Sequence, residues 1–142
     1  MELKTITTAG VKRIMLVNDC DDVGLSFKIV LEEYYHGDYG CSLKVHTFTN
    51  PLDALDNFKA GLYDLVIIDI LMPKMNGFEL YDKLRELDGE IKVLFLTATG
   101  EICYIEFIKE TFPGSNEKDL FIRIPVANQD LIKQVREVLY AS

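Results

Sequence analysis

Two patterns of hydrophobic residues alternate along the chain. The first consists of short, nearly continuous apolar runs, which are typical of strands that are covered on both faces. Between these runs, hydrophobic residues recur every three or four positions, which predicts amphipathic helices. The alternation predicts five strand–helix units in a parallel sheet with helices on both faces. The predicted strands are Arg13–Val17, Leu43–Phe48, Leu65–Ile68, Val93–Leu96 and Leu120–Ile124.

Polar residues, Pro and Gly mark the predicted ends of two helices. Asn50 followed by Pro51 predicts a helix start, and Gly61 predicts the end of that helix. Asn128 with Asp130 predicts an N-cap and an acidic first turn for the last helix. Between the fourth and fifth strands, the segment 101–112 predicts a strongly apolar helix.

Acidic residues follow two of the predicted strands. In open parallel sheets the functional crevice lies beyond the carboxyl ends of the strands, where Asp19 and Asp69 stand. If these strands are neighbours, the carboxylates converge and repel each other unless a cation such as Mg²⁺ neutralises them. A carboxylate beside Mg²⁺ can accept a phosphoryl group, with the Thr97 hydroxyl contacting a phosphoryl oxygen. Acids after strands are also common as loop residues or helix N-caps, and the spacing alone leaves that alternative open.

Composition narrows the classes of function. The 142 residues suit one compact domain, and the net charge of −8 argues against non-specific binding to nucleic acid or to anionic membranes. Three cysteines without ligand spacing indicate reduced thiols. We find no secretory signal and no apolar stretch near the roughly 18 residues of a membrane span, so we expect a cytoplasmic protein.

The segment Asp64–Leu80, which reads DLVIIDILMPKMNGFEL, resembles the phospho-accepting segment of response-regulator receiver domains. Arg13–Asp19 and Leu96–Ala98 resemble two further segments of that family, and the resemblance runs from about residue 12 to 139. It implies a single receiver domain over 1–142, with 1–11 as an N-terminal extension. The implied fold is a flavodoxin-like (βα)₅ doubly wound α/β sandwich with a five-stranded parallel sheet in the order 2-1-3-4-5.

The resemblance also implies roles for individual residues. Asp69 is the expected phospho-acceptor, and Asp19 the expected Mg²⁺ ligand together with Asp69 and the backbone carbonyl of Leu71. Thr97 is the expected switch hydroxyl. Phe121 is the expected switch aromatic, which moves inward when Thr97 engages the phosphoryl group.

Two positions depart from the family pattern. Asn18 stands where a second acid is usual; its amide can contact the cation through water but removes one negative charge. Ile124, before Pro125, stands where a lysine is usual and cannot pair with the acids or the phosphoryl group. Because neighbouring strand residues point to opposite faces, Arg123 can replace that lysine only through a bulge or a one-residue register shift.

Three functional hypotheses follow. In the first, this is a stand-alone receiver, not an enzyme, which is phosphorylated at Asp69 by a sensor histidine kinase or phosphotransfer protein and acts on a downstream protein target. In the second, it is a degenerate receiver that binds proteins independently of phosphorylation. In the third, it is a small hydrolase or flavin carrier, but the sequence has no phosphate loop after the first strand and no Ser–His pair that can be placed. The resemblance leaves open a homodimer through the fourth helix, fifth strand and fifth helix. Because we expect no further domain after Leu139, we expect any output to pass through a protein partner.

Overall fold

The computed structural model describes residues 11–36, 42–98, 110, 112–113 and 120–141. Most of the segment 101–112, for which the sequence predicts a helix, lies outside these ranges. Within them no helix is long and apolar enough to cross a membrane. The strands described are β1 (Val11–Val17), β2 (Ser42–Phe48), β3 (Leu65–Asp69), β4 (Lys92–Ala98) and β5 (Phe121–Ile124), and the helices are α1 (Asp21–His36), α2 (Pro51–Asn57), α3 (Gly77–Leu87) and α4 (Asn128–Leu139).

The strands form one parallel sheet in the order β2-β1-β3-β4-β5, which confirms the order that the resemblance implies. β3 is the central strand, with β1 on one side and β4 on the other. In the β1–β3 pairing, Val17 lies opposite Ile68, and in the β3–β4 pairing Asp69 lies opposite Leu96. The carboxyl ends of the three inner strands therefore meet at the same edge of the sheet.

Helices cover both faces of the sheet, as the doubly wound fold requires. Successive strand residues alternate between the faces, so β1 sends Ile14 and Leu16 into one core and Met15 and Val17 into the other. The first core, which we call the α1/α4 face, contains residues of α1 and α4. The second, the α2/α3 face, contains residues of α2 and α3. This two-sided burial explains why the central strands are continuously apolar in sequence.

Helix side chains hold the backbone of both outer strands. At β2, the Val45 N–H donates to Glu32 Oε2 (2.8 Å), and Lys28 Nζ donates to the Val45 carbonyl (2.7 Å) and to Glu32 Oε2 (2.9 Å). Burial raises the pKa of Glu32, but hydrogen bonds from the Val45 N–H and Lys28 outweigh it, so the pKa lies below its usual value. At β5, Gln134 Nε2 donates to the Phe121 carbonyl (2.9 Å). Each outer strand is thus tied to the helix that packs beside it.

The helix ends agree only in part with the sequence signals. Asn50 caps α2 as predicted, because its side chain accepts an N–H bond from the first turn. The prediction that this helix ends at Gly61 is wrong: α2 ends before Phe58, whose extended backbone turns its ring into the core. The predicted cap of the last helix is also wrong. Ala127 occupies the N-cap without a side-chain hydrogen bond, and Asn128 is already the first helical residue.

Candidate functional site

Two carboxyl groups meet at the carboxyl ends of β1 and β3. Asp69 is the last residue of β3, and Asp19 follows β1 on the neighbouring strand. Burial raises the pKa of Asp69 to about 6, aided by repulsion from the Asp19 carboxylate and a hydrogen bond with it, while the Leu71 N–H opposes the shift. β1 and β3 are paired strands, as the predicted convergence of the two carboxyl groups requires. The two neighbouring carboxyl groups can attract a cation.

The connection between β3 and α3 fixes the backbone of Asp69. The Gly77 N–H donates to the Ile70 carbonyl (2.9 Å), and a Cβ atom at residue 77 would lie 2.5 Å from the Asp69 carbonyl oxygen. Only glycine allows the start of α3 to approach so closely. Next to it, Asn76 and Glu79 form a capping box that holds the first turn of α3. Asp69 is therefore held by packed backbone on its C-terminal side.

A strained turn lies in the same connection. Lys74 has a φ of +74°, in the left-handed region, and the Met75 N–H bonds back to the Pro73 carbonyl (2.8 Å) across it. This is the hydrogen-bond pattern of a γ-turn, which is unfavourable for a residue with a side chain at positive φ. This turn lies five residues after Asp69 in the chain.

The oxygen atoms around Asp69 fit a hard divalent cation. Leu71 donates its N–H to Asp69 Oδ1 (3.2 Å), its side chain is 59% exposed, and no described residue donates to its carbonyl. Among the described residues no group of three or more His, Cys, Asp or Glu side chains could hold a metal. Mg²⁺ does not need such a cage, since it is commonly bound through one or two carboxylates and keeps several waters. The chemistry of the donors, Asp19, Asp69 and a backbone carbonyl, therefore suits Mg²⁺.

Asn18 lies beside this pair in a buried position. Its residue is only 3% exposed, and its N–H donates to the Phe48 carbonyl (3.0 Å). Its side-chain Oδ1 accepts the N–H of Cys20 (2.7 Å). Cys20 itself is an exposed free thiol. The amide is thus anchored to the β1–α1 loop through its oxygen.

The two predicted switch residues lie on the α2/α3 side of the sheet. Thr97 is buried (5% exposed) and stands one residue beyond the position that pairs with Asp69. Phe121 is buried at the start of β5, and its ring centroid lies 5.9 Å from that of Phe95. The ring of Phe121 is therefore packed in the core of the α2/α3 face, and its role as the switch aromatic stays a prediction.

The end of β5 carries no cation in the position of the usual lysine. The β4–β5 register is continuous from Phe121 to Ile124, so the bulge or register shift by which Arg123 could replace the lysine is absent from this pairing. Arg123 is exposed opposite Thr97, whereas Ile124 lies opposite Ala98 and packs against the α1/α4 face. The Ile124–Pro125 peptide bond is cis.

Gly77 and Lys74 were not among the sequence candidates. The Asn-Gly pair that opens α3 is a signal for Gly77, because a helix that begins with glycine can approach another backbone closely. No comparable signal exists for Lys74, since lysine is not favoured at positive φ.

The chain belongs to the response regulator receiver domain family, whose model matches residues 14–136. Receiver domains are signalling domains of two-component systems that interact with histidine kinases and phosphotransfer proteins. They generally bind Mg²⁺ at the phosphorylation site.

The chain is also similar in sequence to individual curated proteins. It is 33% identical over 129 residues to the transcriptional regulatory protein PcoR of Escherichia coli, covering 90% of this chain and 51% of PcoR. It is 29% identical over 99 residues to sporulation initiation phosphotransferase F of Bacillus subtilis, covering 70% of this chain and 74% of that protein. The chain thus spans about half the length, or less, of several curated relatives that it matches.

A solved structure shows the same fold. The non-phosphorylated HemR receiver domain from Leptospira biflexa superposes with a TM-score of 0.75 at 23% identity, covering 92% of this chain and 96% of that one.

Proposed function

We propose that this chain is a phospho-accepting receiver in which Asp69 takes a phosphoryl group from a sensor histidine kinase or a phosphotransfer protein. The observation that carries the proposal is the Asp19–Asp69 carboxyl pair at the carboxyl end of the central strand, with the pKa of Asp69 raised to about 6. Such a pair attracts a divalent cation and presents a carboxylate that is still largely ionised at neutral pH. The similarity to a protein named a phosphotransferase supports the same reaction.

The chemistry assigns one task to each residue. A carboxylate oxygen of Asp69 forms a bond to phosphorus while the bond from phosphorus to the donor's histidine nitrogen breaks, and that nitrogen keeps the electron pair and takes up a proton. Mg²⁺, when bound, would neutralise the carboxylates and polarise the phosphoryl oxygens. Asp19, Asp69 and the Leu71 carbonyl would hold it, and Asn18 would contact it through water. The Thr97 hydroxyl would contact a phosphoryl oxygen.

The output of this receiver is proposed to be a change in a protein-binding surface. Phosphorylation can shift a two-state equilibrium only through contacts that differ between the states, and Thr97 with Phe121 are the residues we propose for these contacts. A downstream protein target, a homodimer through the last strand and the helices beside it, and a cytoplasmic location stay predictions, as does the stand-alone arrangement. We propose that the domain has at most two enzymatic activities, self-phosphorylation and self-dephosphorylation.

The second candidate is a receiver that binds its partner without phosphorylation. It is favoured by Ile124, whose side chain packs against the α1/α4 face where a phosphoryl-pairing cation would otherwise stand. On this view the fold is retained as a binding surface and the carboxyl pair is not used.

Phosphorylation by a small donor separates the two candidates. The protein is incubated with Mg²⁺ and acetyl phosphate, and the intact mass is measured. We expect the mass of one added phosphoryl group, lost on Asp69→Asn and kept in the control Asp56→Asn, which removes an exposed carboxylate of α2. If neither the wild type nor the control gains mass at any Mg²⁺ or donor concentration, the phospho-acceptor proposal is wrong and the second candidate stands.

A further inference from the structure

The side-chain nitrogen of Asn18 is a buried hydrogen-bond donor that has no acceptor among the residues that the structure describes. The residue is 97% buried (3% exposed), and its Oδ1 and backbone N–H are both bonded, but no described residue accepts a hydrogen bond from Nδ2. A buried donor left unpaired is destabilising, and buried polar groups in native proteins nearly always have partners. The position therefore indicates a ligand atom that the amide binds when the site is loaded.

The strand register places this donor next to Asp69. Val17 pairs with Ile68, so the next residues of the two strands, Asn18 and Asp69, stand side by side. Parallel strands lie about 4.8 Å apart, and side chains that are neighbours across two strands share one face of the sheet. The assignment of the face agrees, since Leu16 and Ile67, two residues earlier on each strand, both belong to the α1/α4 face.

The orientation of the amide follows from its anchored oxygen. The Cys20 N–H is a donor, so the atom that receives it must be Oδ1, and the other branch of the side chain is the NH₂ group. An aspartate here would present a second negatively charged acceptor towards Asp69. Asparagine instead presents a donor, which repels neither the acceptor carboxylate nor a phosphoryl oxygen.

On the other side of Asp69, the described residues of β4 and β5 offer a phosphoryl group no side-chain donor from the α1/α4 face. On the α1/α4 face, β4 and β5 contribute Leu96, Ile122 and Ile124, all of them apolar. A phosphoryl group on Asp69 adds negative charge and oxygen acceptors that these side chains cannot satisfy. The loss of a cation at residue 124 and the replacement of an acid at residue 18 therefore compensate each other in charge.

We propose that the Asn18 Nδ2 group donates a hydrogen bond to an oxygen of the phosphoryl group on Asp69 and stabilises the phosphorylated state in place of a cation at residue 124. This inference rests on the proposed function. It assigns to Asn18 a direct contact with the transferred group, in addition to its predicted contact with Mg²⁺ through water.

The test uses beryllofluoride, BeF₃⁻, which binds an aspartate carboxylate as a phosphoryl analogue. Its affinity is measured by ¹⁹F NMR at saturating Mg²⁺ for the wild type, Asn18→Ala, Asn18→Asp, Ile124→Lys and the double variant Asn18→Asp/Ile124→Lys. Asn57→Asp is the matched control, because it adds the same charge at an exposed position at the end of α2. Circular dichroism verifies that each variant is folded, and ¹H–¹⁵N spectra follow the side-chain NH₂ group of Asn18.

We expect Asn18→Ala and Asn18→Asp each to weaken BeF₃⁻ binding about tenfold, the loss typical of a hydrogen bond to a charged group, while Asn57→Asp leaves it unchanged. Ile124→Lys is expected to restore binding about tenfold in the Asn18→Asp background but to change the wild type less than about threefold. The Asn18 NH₂ signals are expected to shift when BeF₃⁻ is added.

The possible failures point to different conclusions. Wild-type affinity in both Asn18 variants, equal effects of Ile124→Lys in both backgrounds, or unmoved NH₂ signals would each overturn the role of Asn18 and leave the phospho-acceptor proposal intact. If neither the wild type nor Ile124→Lys binds BeF₃⁻, the proposed function itself fails, and this inference fails with it.

Discussion

Replacing Asp69 by asparagine should stabilise the folded chain, and the gain should depend on pH. The pKa of Asp69 is raised from its ordinary value of 3.8 to about 6, so the native state holds this proton more tightly than the unfolded chain. The stabilising effect of that proton is complete below about pH 4 and is lost as the pH rises through about 6. At neutral pH the ionised carboxylate therefore costs folding free energy, and Asp69→Asn removes that cost.

The size of the effect follows from the pKa difference. The full pKa shift corresponds to about 3 kcal/mol. Because part of the carboxyl group reaches solvent, we expect the stability advantage of Asp69→Asn over the wild type, measured as the free energy of unfolding, to be about 1–3 kcal/mol larger at pH 8 than at pH 4. For a chain of this size the gain equals a rise in Tm of roughly 3–10 °C. Saturating Mg²⁺ should stabilise the wild type and remove most of the difference in the free energy of unfolding between the wild type and Asp69→Asn.

Urea unfolding followed by circular dichroism between pH 4 and pH 8 measures the difference directly. Ionisable groups shared by the two proteins cancel, so the change in the difference with pH isolates Asp69. Asp56→Asn is the control, since it removes an exposed carboxylate of α2 and should change stability by no more than about 0.5 kcal/mol at any pH. If the curves of Asp69→Asn and the wild type run parallel across this range, the partly buried Asp69 carboxyl group is not in the environment described.

Three further substitutions test the surroundings of the site and the sheet edge by urea unfolding at neutral pH. Gly77→Ala brings a methyl group to 2.5 Å from a carbonyl oxygen at the end of β3 and should cost about 1–3 kcal/mol, whereas Gly89→Ala, with nothing within 4 Å, should not; equal effects would refute the close approach. Lys74→Gly relieves a φ of +74° and should stabilise the protein by about 1 kcal/mol, and a loss of stability would contradict the strained turn. Glu32→Ala leaves a β2 backbone N–H without its acceptor and should cost about 1–3 kcal/mol, while exposed Glu33→Ala should stay within about 0.5 kcal/mol; matching losses would count against the contact.

The elements of the fold could be predicted from periodicity because the two-sided burial of the sheet leaves a strong trace in the sequence. The run at Leu65–Ile68 is continuously apolar since alternate residues enter different cores, and the structure places a strand there. The order of the strands is not contained in such a pattern. It came from the family resemblance, and the structure confirms it.

The details that escaped prediction depend on contacts between distant parts of the chain. Gly61 carries a strong local signal for a helix end, yet α2 ends earlier because Phe58 gains more by entering the core than by extending the helix. The charge that Asn18 removes is visible in the sequence, but the Cys20 N–H that orients its amide is visible only in the fold. Tertiary packing therefore decides what local propensity leaves open.

The hydrogen bonds that tie the outer strands to their helices restrict how other chains can attach to this one. An uncovered outer strand is a template on which a second chain can add a strand, as in aggregation and in peptide capture. Here the Val45 N–H and carbonyl in the middle of β2 are held by α1, and the Phe121 carbonyl at the start of β5 is held by α4. At these positions the sheet cannot be extended without first breaking contacts between helix and strand. At Val45 and Phe121, therefore, the edges of the sheet are less available for strand addition than the edge of an uncovered strand would be.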